Sequence, residues 1–111
     1  MGFFSNLMGG GAISAKEAHE KMAQGGDFVL LDVRTPQEFK QIRIKGAKCI
    51  PVDELAARAA KELKNKDQAI YIYCQSGARA GSAVKILKNM GYTNVVSFGG
   101  IISWPYGTVQ G

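Results

Sequence analysis

Apolar residues along this chain gather in short runs, separated by stretches with helical spacing, and that alternation predicts the elements. "FVLLDV" (Phe28–Val33) and "AIYIY" (Ala69–Tyr73) are apolar and of strand length, the pattern of strands covered on both faces. "AKCIPV" (Ala47–Val52) and "NVVSF" (Asn94–Phe98) are further strand candidates, the first limited by Pro51. Helices are expected between them. Ser14, with Glu17 three residues on, is a capping-box pattern that opens Ala15–Ala23. Thr35 caps a short helix begun by Pro36, and Glu38 supports that cap. Asp53 is expected to cap "ELAARAAKELKN", in which Leu55, Ala59 and Leu63 share one face and Lys61 and Lys64 lie off it. "GSAVKILKNM" (Gly81–Met90) turns Val84 and Leu87 inward, and "IISW" (Ile101–Trp104) reads as one helical turn ended by Pro105. Strands alternating with helices predict an α/β fold, with a mainly parallel sheet and helices on both faces.

The length, 111 residues, suits one domain with a core of its own. Residues 1–11, "MGFFSNLMGGG", are expected to be a flexible lead-in to a domain over 12–111; the alternative is that Phe3, Phe4, Leu7 and Met8 cover a surface groove. The segment lacks the basic start and long apolar core of a secretory signal, and Asn6 breaks the myristoylation pattern. No apolar run is long enough to span a membrane. Two distant cysteines, Cys49 and Cys74, form neither a disulfide framework nor a metal-binding cluster, so the expectation is a cytoplasmic chain with free thiols and no metal or other cofactor. The net charge of +5 is spread along the chain. Its densest group, Lys40, Arg43, Lys45 and Lys48, reads as a solvated segment rather than a nucleic-acid surface. A small anionic substrate suits the excess equally well.

Cys74 carries the chemistry. It stands where the Ala69–Tyr73 strand ends, and ligand sites in open α/β sheets lie beyond the carboxyl ends of strands. The residues after it, Gln75, Ser76, Gly77, Ala78 and Arg79, are mostly small and lead into a helix. A curled loop at a helix start aims successive N–H groups at one point, which makes an anion cradle and a setting that favours a thiolate. Arg79 adds a permanent positive charge. The competing reading is an inert, buried cysteine at a strand end. A phosphatase loop of the tyrosine-phosphatase type needs five residues between Cys and Arg; here there are four, and Ala80 takes the arginine's place. A tighter loop fits a smaller target, such as a sulfur atom carried on cysteine.

In four ordered motifs the chain resembles the single-domain rhodaneses, the thiosulfate sulfurtransferase-like family. "LLDVRTPQEF" (Leu30–Phe39) is similar to the family's "DVR…EF" signature and "IKGAKCIP" (Ile44–Pro51) to its "IPGAxxIP" stretch. "YCQSGARA" (Tyr73–Ala80) resembles the active-site loop and "GGIISW" (Gly99–Trp104) the closing motif. The resemblance implies about five parallel strands and a six-residue loop from Cys74 to Arg79. It implies that Cys74 is the sulfur-carrying nucleophile, and that the amides of Gln75 to Arg79 hold its persulfide. Arg79 would also attract an anionic donor such as thiosulfate, with cyanide or a thiol, free or on a protein, as acceptor. Asp32 and Arg34 match signature positions and are expected to support the loop and the sheet end, as a structural ion-pair network. Glu38 is expected to partner Arg34 or to act as a helix charge, and Trp104 to pack in the core.

Where many members have Gly-His-Ile-Pro, this chain has Ile42-Arg43-Ile44-Lys45, which removes any role carried by that histidine. The one histidine, His19, is read as a surface residue rather than a base for Cys74. Cys49 is read as a small buried hydrophobe, with a resolving thiol that closes a Cys49–Cys74 disulfide as the alternative. Three activities stay open on these residues: an enzyme using small sulfur donors, a relay loaded by a partner protein, and a thiol-dependent oxyanion reductase. Neither nucleic acid nor membrane is an expected partner.

Overall fold

Strands β1 (Phe28–Asp32) and β3 (Ala69–Cys74) lie side by side at the centre of the sheet, where strands apolar on both faces belong. β2 (Lys48–Cys49) pairs with the outer edge of β1, and β4 (Val95–Gly100) with that of β3. All pairings are parallel, in the order β2-β1-β3-β4. The computed structural model describes residues 11–111; the lead-in expected over 1–11 thus lies outside the described residues except for Gly11.

Side chains alternate between the two faces. Leu31, Ile70, Ile72 and Cys74 join the cluster beneath α3 (Val52–Glu62) and α4 (Ala78–Asn89), with Leu55, Ala59, Leu63, Ala83, Val84 and Leu87. Leu30, Tyr73 and Phe98 turn the other way, onto Ala18 of α1 (Ala15–Ala23), Ile44 and Ile101. The stripe of Leu55, Ala59 and Leu63 is fully buried, and burial of each large apolar side chain contributes roughly 1.5–3 kcal/mol. Helices on both faces of a parallel sheet agree with the pattern read from the sequence. α2 (Pro36–Gln41) has no buried residue and is held by its capping box: Glu38 N donates to Thr35 Oγ1 (3.2 Å), and Thr35 N donates to Glu38 Oε1 (2.9 Å). Among the described residues no helix is long and apolar enough to cross a membrane.

Several boundaries differ from expectation. Four strands form the sheet among the described residues, not about five. A fifth survives only as a parallel bridge, Ala12 to Ser97, because Ser14 caps α1 two residues later and ends the extended stretch. β2 shrinks from the expected Ala47–Val52 to two residues because Pro51 is already the cap of α3, although Ile50 N and Val52 N still donate to Asp32 O (3.0 Å) and Val33 O (3.1 Å). Pro51, not Asp53, is the N-cap residue of α3, and Asp53 and Glu54 fall in the first turn, where acidic side chains suit the helix dipole. β4 runs to Gly100, two residues past Phe98. Within the basic segment, Lys48 pairs with Glu62 (3.0 Å) and Arg43 donates to the backbone oxygens of Gly111 (2.9 Å) and Phe39 (3.3 Å), while Lys40 and Lys45 are exposed.

The end of α3 has a fastening that periodicity could not reveal. The buried Tyr92 hydroxyl lies within hydrogen-bonding distance of Ala59 O in α3 (3.1 Å), which also accepts from Leu63 N (2.7 Å), and of Leu63 O (2.5 Å) at the residue that caps the helix. Tyr92→Phe keeps the ring and removes the donor. It is expected to lower stability by about 1–2 kcal/mol, read as a fall in the urea midpoint at unchanged slope.

Candidate active site

Parity along β3 decides where the thiol goes. Tyr73 faces α1, so Cys74 faces α4, and α4 begins only four residues later. The helix therefore starts over the sulfur. Gly77 N–H donates to Cys74 Sγ at 3.0 Å and Ala80 N–H at 3.3 Å. Cys74 is 1% exposed and forms the floor of the loop, while Gln75, Ser76 and Ala78 are exposed at its rim. Gly77 and Arg79 are half-buried. Pattern alone started this helix at Gly81. It starts at Ala78 because Gly77, with φ of +124°, turns the chain at once in a conformation that other residues resist. Of the donors expected from Gln75 to Arg79, Gly77 reaches the sulfur, and Ala80, one residue past the expected set, supplies the second bond.

The loop is braced from β4. Gly100 pairs with Cys74, and a Cβ at Gly100 would stand 2.1 Å from Gln75 O and 2.5 Å from Ser76 Cα. Its φ of −136° is ordinary, so what it requires is space. Ile102 N then donates to Gln75 O (3.3 Å). The Gly99-Gly100 doublet before "IISW" is the trace of this approach in the sequence.

Asp32 and Arg34 meet as expected, both essentially fully buried. Arg34 donates from Nε to both Asp32 oxygens (3.1 Å each), from Nη2 to Oδ2 (2.8 Å) and from its backbone N to Oδ1 (2.9 Å). Its remaining donors reach Ile42 O (2.5 Å) and Gln75 Oε1 (3.4 Å), so the pair spans from the sheet end to the loop. Burial opposes the Arg34 charge, but the Asp32 hydrogen bonds and charge outweigh it and the pKa is raised. Beneath them the Tyr73 hydroxyl accepts from Ile44 N (3.1 Å), and burial pushes that phenol's pKa up.

With Arg34 paired to Asp32, Glu38 stands in the first turn of α2, the helix-charge alternative, and takes Arg79 rather than Arg34 as its partner. Arg79 Nη1 donates to Glu38 Oε1 (2.8 Å) and Nη2 to Oε2 (3.1 Å), a two-pronged bridge from α4 to α2. Arg79 thus meets the loop with a carboxylate already attached.

The remaining candidates lie apart from the sulfur. Cys49 is half-buried, its thiol donates to Arg34 O (3.6 Å), and burial raises its pKa. It aligns with Asp32, which aligns with Tyr73, so β1 stands between the cysteines. Two strand spacings put their Cα atoms about 9–10 Å apart, beyond the roughly 7 Å a disulfide can bridge. The resolving-thiol alternative fails on that spacing. His19 is on α1, across the sheet from Cys74, stacked on Tyr106 (3.8 Å between centroids, planes within 2°) and edge-on to Trp104 (5.8 Å). Trp104 packs on Phe98 (5.2 Å), as a core-edge residue.

A family model for the Rhodanese-like domain matches residues 14–104. The chain belongs to the rhodanese-like family. It is 38% identical to the thiosulfate sulfurtransferase PspE of Escherichia coli, over 64% of this chain and 68% of that one. It is 36% identical to a sulfurtransferase of Allochromatium vinosum, over 83% and 85%. Among solved structures, a rhodanese with anions from E. coli superposes with a TM-score of 0.71 at 34% identity, covering 76% of this chain and 99% of that one. The Alr3790 protein from Anabaena sp. does so at 0.80 and 27%, covering 88% and 91%.

Two expectations follow for this rhodanese domain. Gly100→Ala forces backbone overlap and should cost about 3 kcal/mol, the upper end of overpacking effects, whereas Gly81→Ala, with open space around its Cβ, should be neutral or stabilising; thermal midpoints compare the two. The second concerns acid. The hydrogen bonds from Arg79, against burial and with help from Thr35 N–H, pull the Glu38 pKa to about 2, below an unfolded value of about 4.3. The stability this adds is complete above that unfolded value and is lost as pH falls through about 2. Side chains about a third exposed limit it to about 1 kcal/mol or less. The stability gap between wild type and Glu38→Gln should therefore narrow from pH 7 to pH 2.

Proposed function

We propose that this domain is a sulfurtransferase that carries sulfane sulfur on Cys74, taking it from thiosulfate or a similar donor and passing it to cyanide or a thiol acceptor. The observation that carries this reading is the sulfur at the floor of the loop, receiving two backbone N–H groups at the start of α4. Such donors suit a sulfur atom bearing negative charge, which both a thiolate and a persulfide do. The thiolate attacks the outer sulfur of the donor. A sulfur–sulfur bond to Cys74 forms, the donor's own S–S bond breaks, and sulfite leaves with the electron pair. The acceptor then attacks the outer sulfur and returns the Cys74 thiolate. Access over a floor that is 1% exposed favours a donor that presents a terminal sulfur end-on.

The names of the two sulfurtransferase relatives support the same chemistry. The short loop disfavours phosphate ester hydrolysis: four residues separate Cys74 from Arg79, and the Ala80 amide is turned onto Sγ. Separation of the two thiols disfavours an oxyanion reductase that resolves through Cys49. Asp32 and Arg34 serve as positioning residues, through the Gln75 side chain.

Intact mass after brief incubation with thiosulfate tests the reading, with Cys74→Ser alongside. A gain of one sulfur in the wild type alone is expected. No gain in folded protein whose Cys74 still alkylates would exclude thiosulfate as donor and leave a relay loaded by a partner protein.

A further inference from the structure

The charged side chains at the loop come in two closed pairs. Arg34 is paired through Nε and Nη2 with Asp32, and Arg79 is held at both Nη atoms by Glu38. Two cations against two carboxylates leave no net charge on these four side chains, so the attraction for an anion comes from the α4 N-terminus, about half a unit, and the Cys74 thiolate draws on it as well. The Glu38 carboxylate cannot swing away freely. Its Oε1 also accepts from Thr35 N (2.9 Å), so leaving Arg79 would strain or break the α2 cap. Arg79 and Glu38 are 35% and 30% exposed, so the bridge is open to solvent.

We propose that Glu38, bridged to Arg79 beside the Cys74 loop, sets the charge preference for the sulfur donor, favouring monoanions over dianions. The inference rests on the sulfur-transfer reading above. A monoanion brings a single negative charge to this site. The thiosulfate dianion brings one further negative charge against a carboxylate that stays in place. Glu38 thus acts as a positioning and selectivity residue, through Arg79, and not on the reacting sulfur.

Thiosulfate and methanethiosulfonate isolate this effect, because they share a terminal sulfur and a tetrahedral sulfonyl group and differ by one unit of charge. With either, Cys74 takes the terminal sulfur while sulfite or methanesulfinate departs with the electron pair. Glutamine is accepted at the third position of a capping box, so Glu38→Gln removes the charge and keeps the cap. The expected result is a rise of roughly three- to tenfold in the ratio of kcat/KM for thiosulfate to that for methanethiosulfonate. The rise should appear mainly in KM and shrink at high ionic strength. Glu38→Asp, which keeps the charge, should hold the wild-type ratio. Equal scaling of both donors in Glu38→Gln, whatever its size, would overturn the proposal and leave Glu38 a purely structural residue. Wild-type protein that takes sulfur from neither donor would remove the sulfur-transfer reading itself, and this proposal with it.

Discussion

Two N–H groups converging on Cys74 Sγ constrain most of what surrounds them. To receive them the sulfur must lie on the face that α4 covers, which fixes the parity of β3 and sends Tyr73 to the opposite core. The helix must begin almost as the strand ends, which demands the left-handed turn at Gly77. A loop that tight needs a wall, and β4 provides it only because Gly100 has no side chain. The Asp32–Arg34 pair then fills the gap between the sheet end and the Gln75 side chain with hydrogen bonds that leave neither charge unpaired.

The fold was largely legible because it follows from local rules. Apolar runs named β1, β3 and β4, and caps at Ser14 and Thr35 named the starts of α1 and α2. The motif around Cys74 located the turn at Gly77, whereas Ala78 and Arg79, read as loop residues, fall in the first turn of α4. Local rules failed where a distant group decided. Glu38 has two arginines within reach of its chemistry, and the choice turned on Asp32 having already taken Arg34, a matter of packing between residues 41 apart in sequence. Gly100 and Tyr92 are ordinary letters until the backbone beside them is placed. β2 and the residual fifth strand lost length to a proline and to a helix cap, each a stronger local signal than the apolar pattern it interrupted.

α2 shows how little of its order comes from burial. None of its six residues is buried, and a helix so short has no stability of its own in water. Glu38 supplies the difference at both of its oxygens, joining the helix start to the loop through one side chain. The order of α2 and the posture of Arg79 are therefore one property rather than two.

The strand between the two cysteines has a consequence for what the domain can keep. A persulfide is a perishable group: a neighbouring thiol discharges it by attacking the inner sulfur, closing a disulfide and releasing sulfide. The chain has one other thiol, and β1 stands between it and Cys74. On the sulfur-transfer reading proposed above, sulfur loaded on Cys74 would thus have no second thiol of the chain to escape to, and its storage time would be set by whichever outside molecule arrives to collect it.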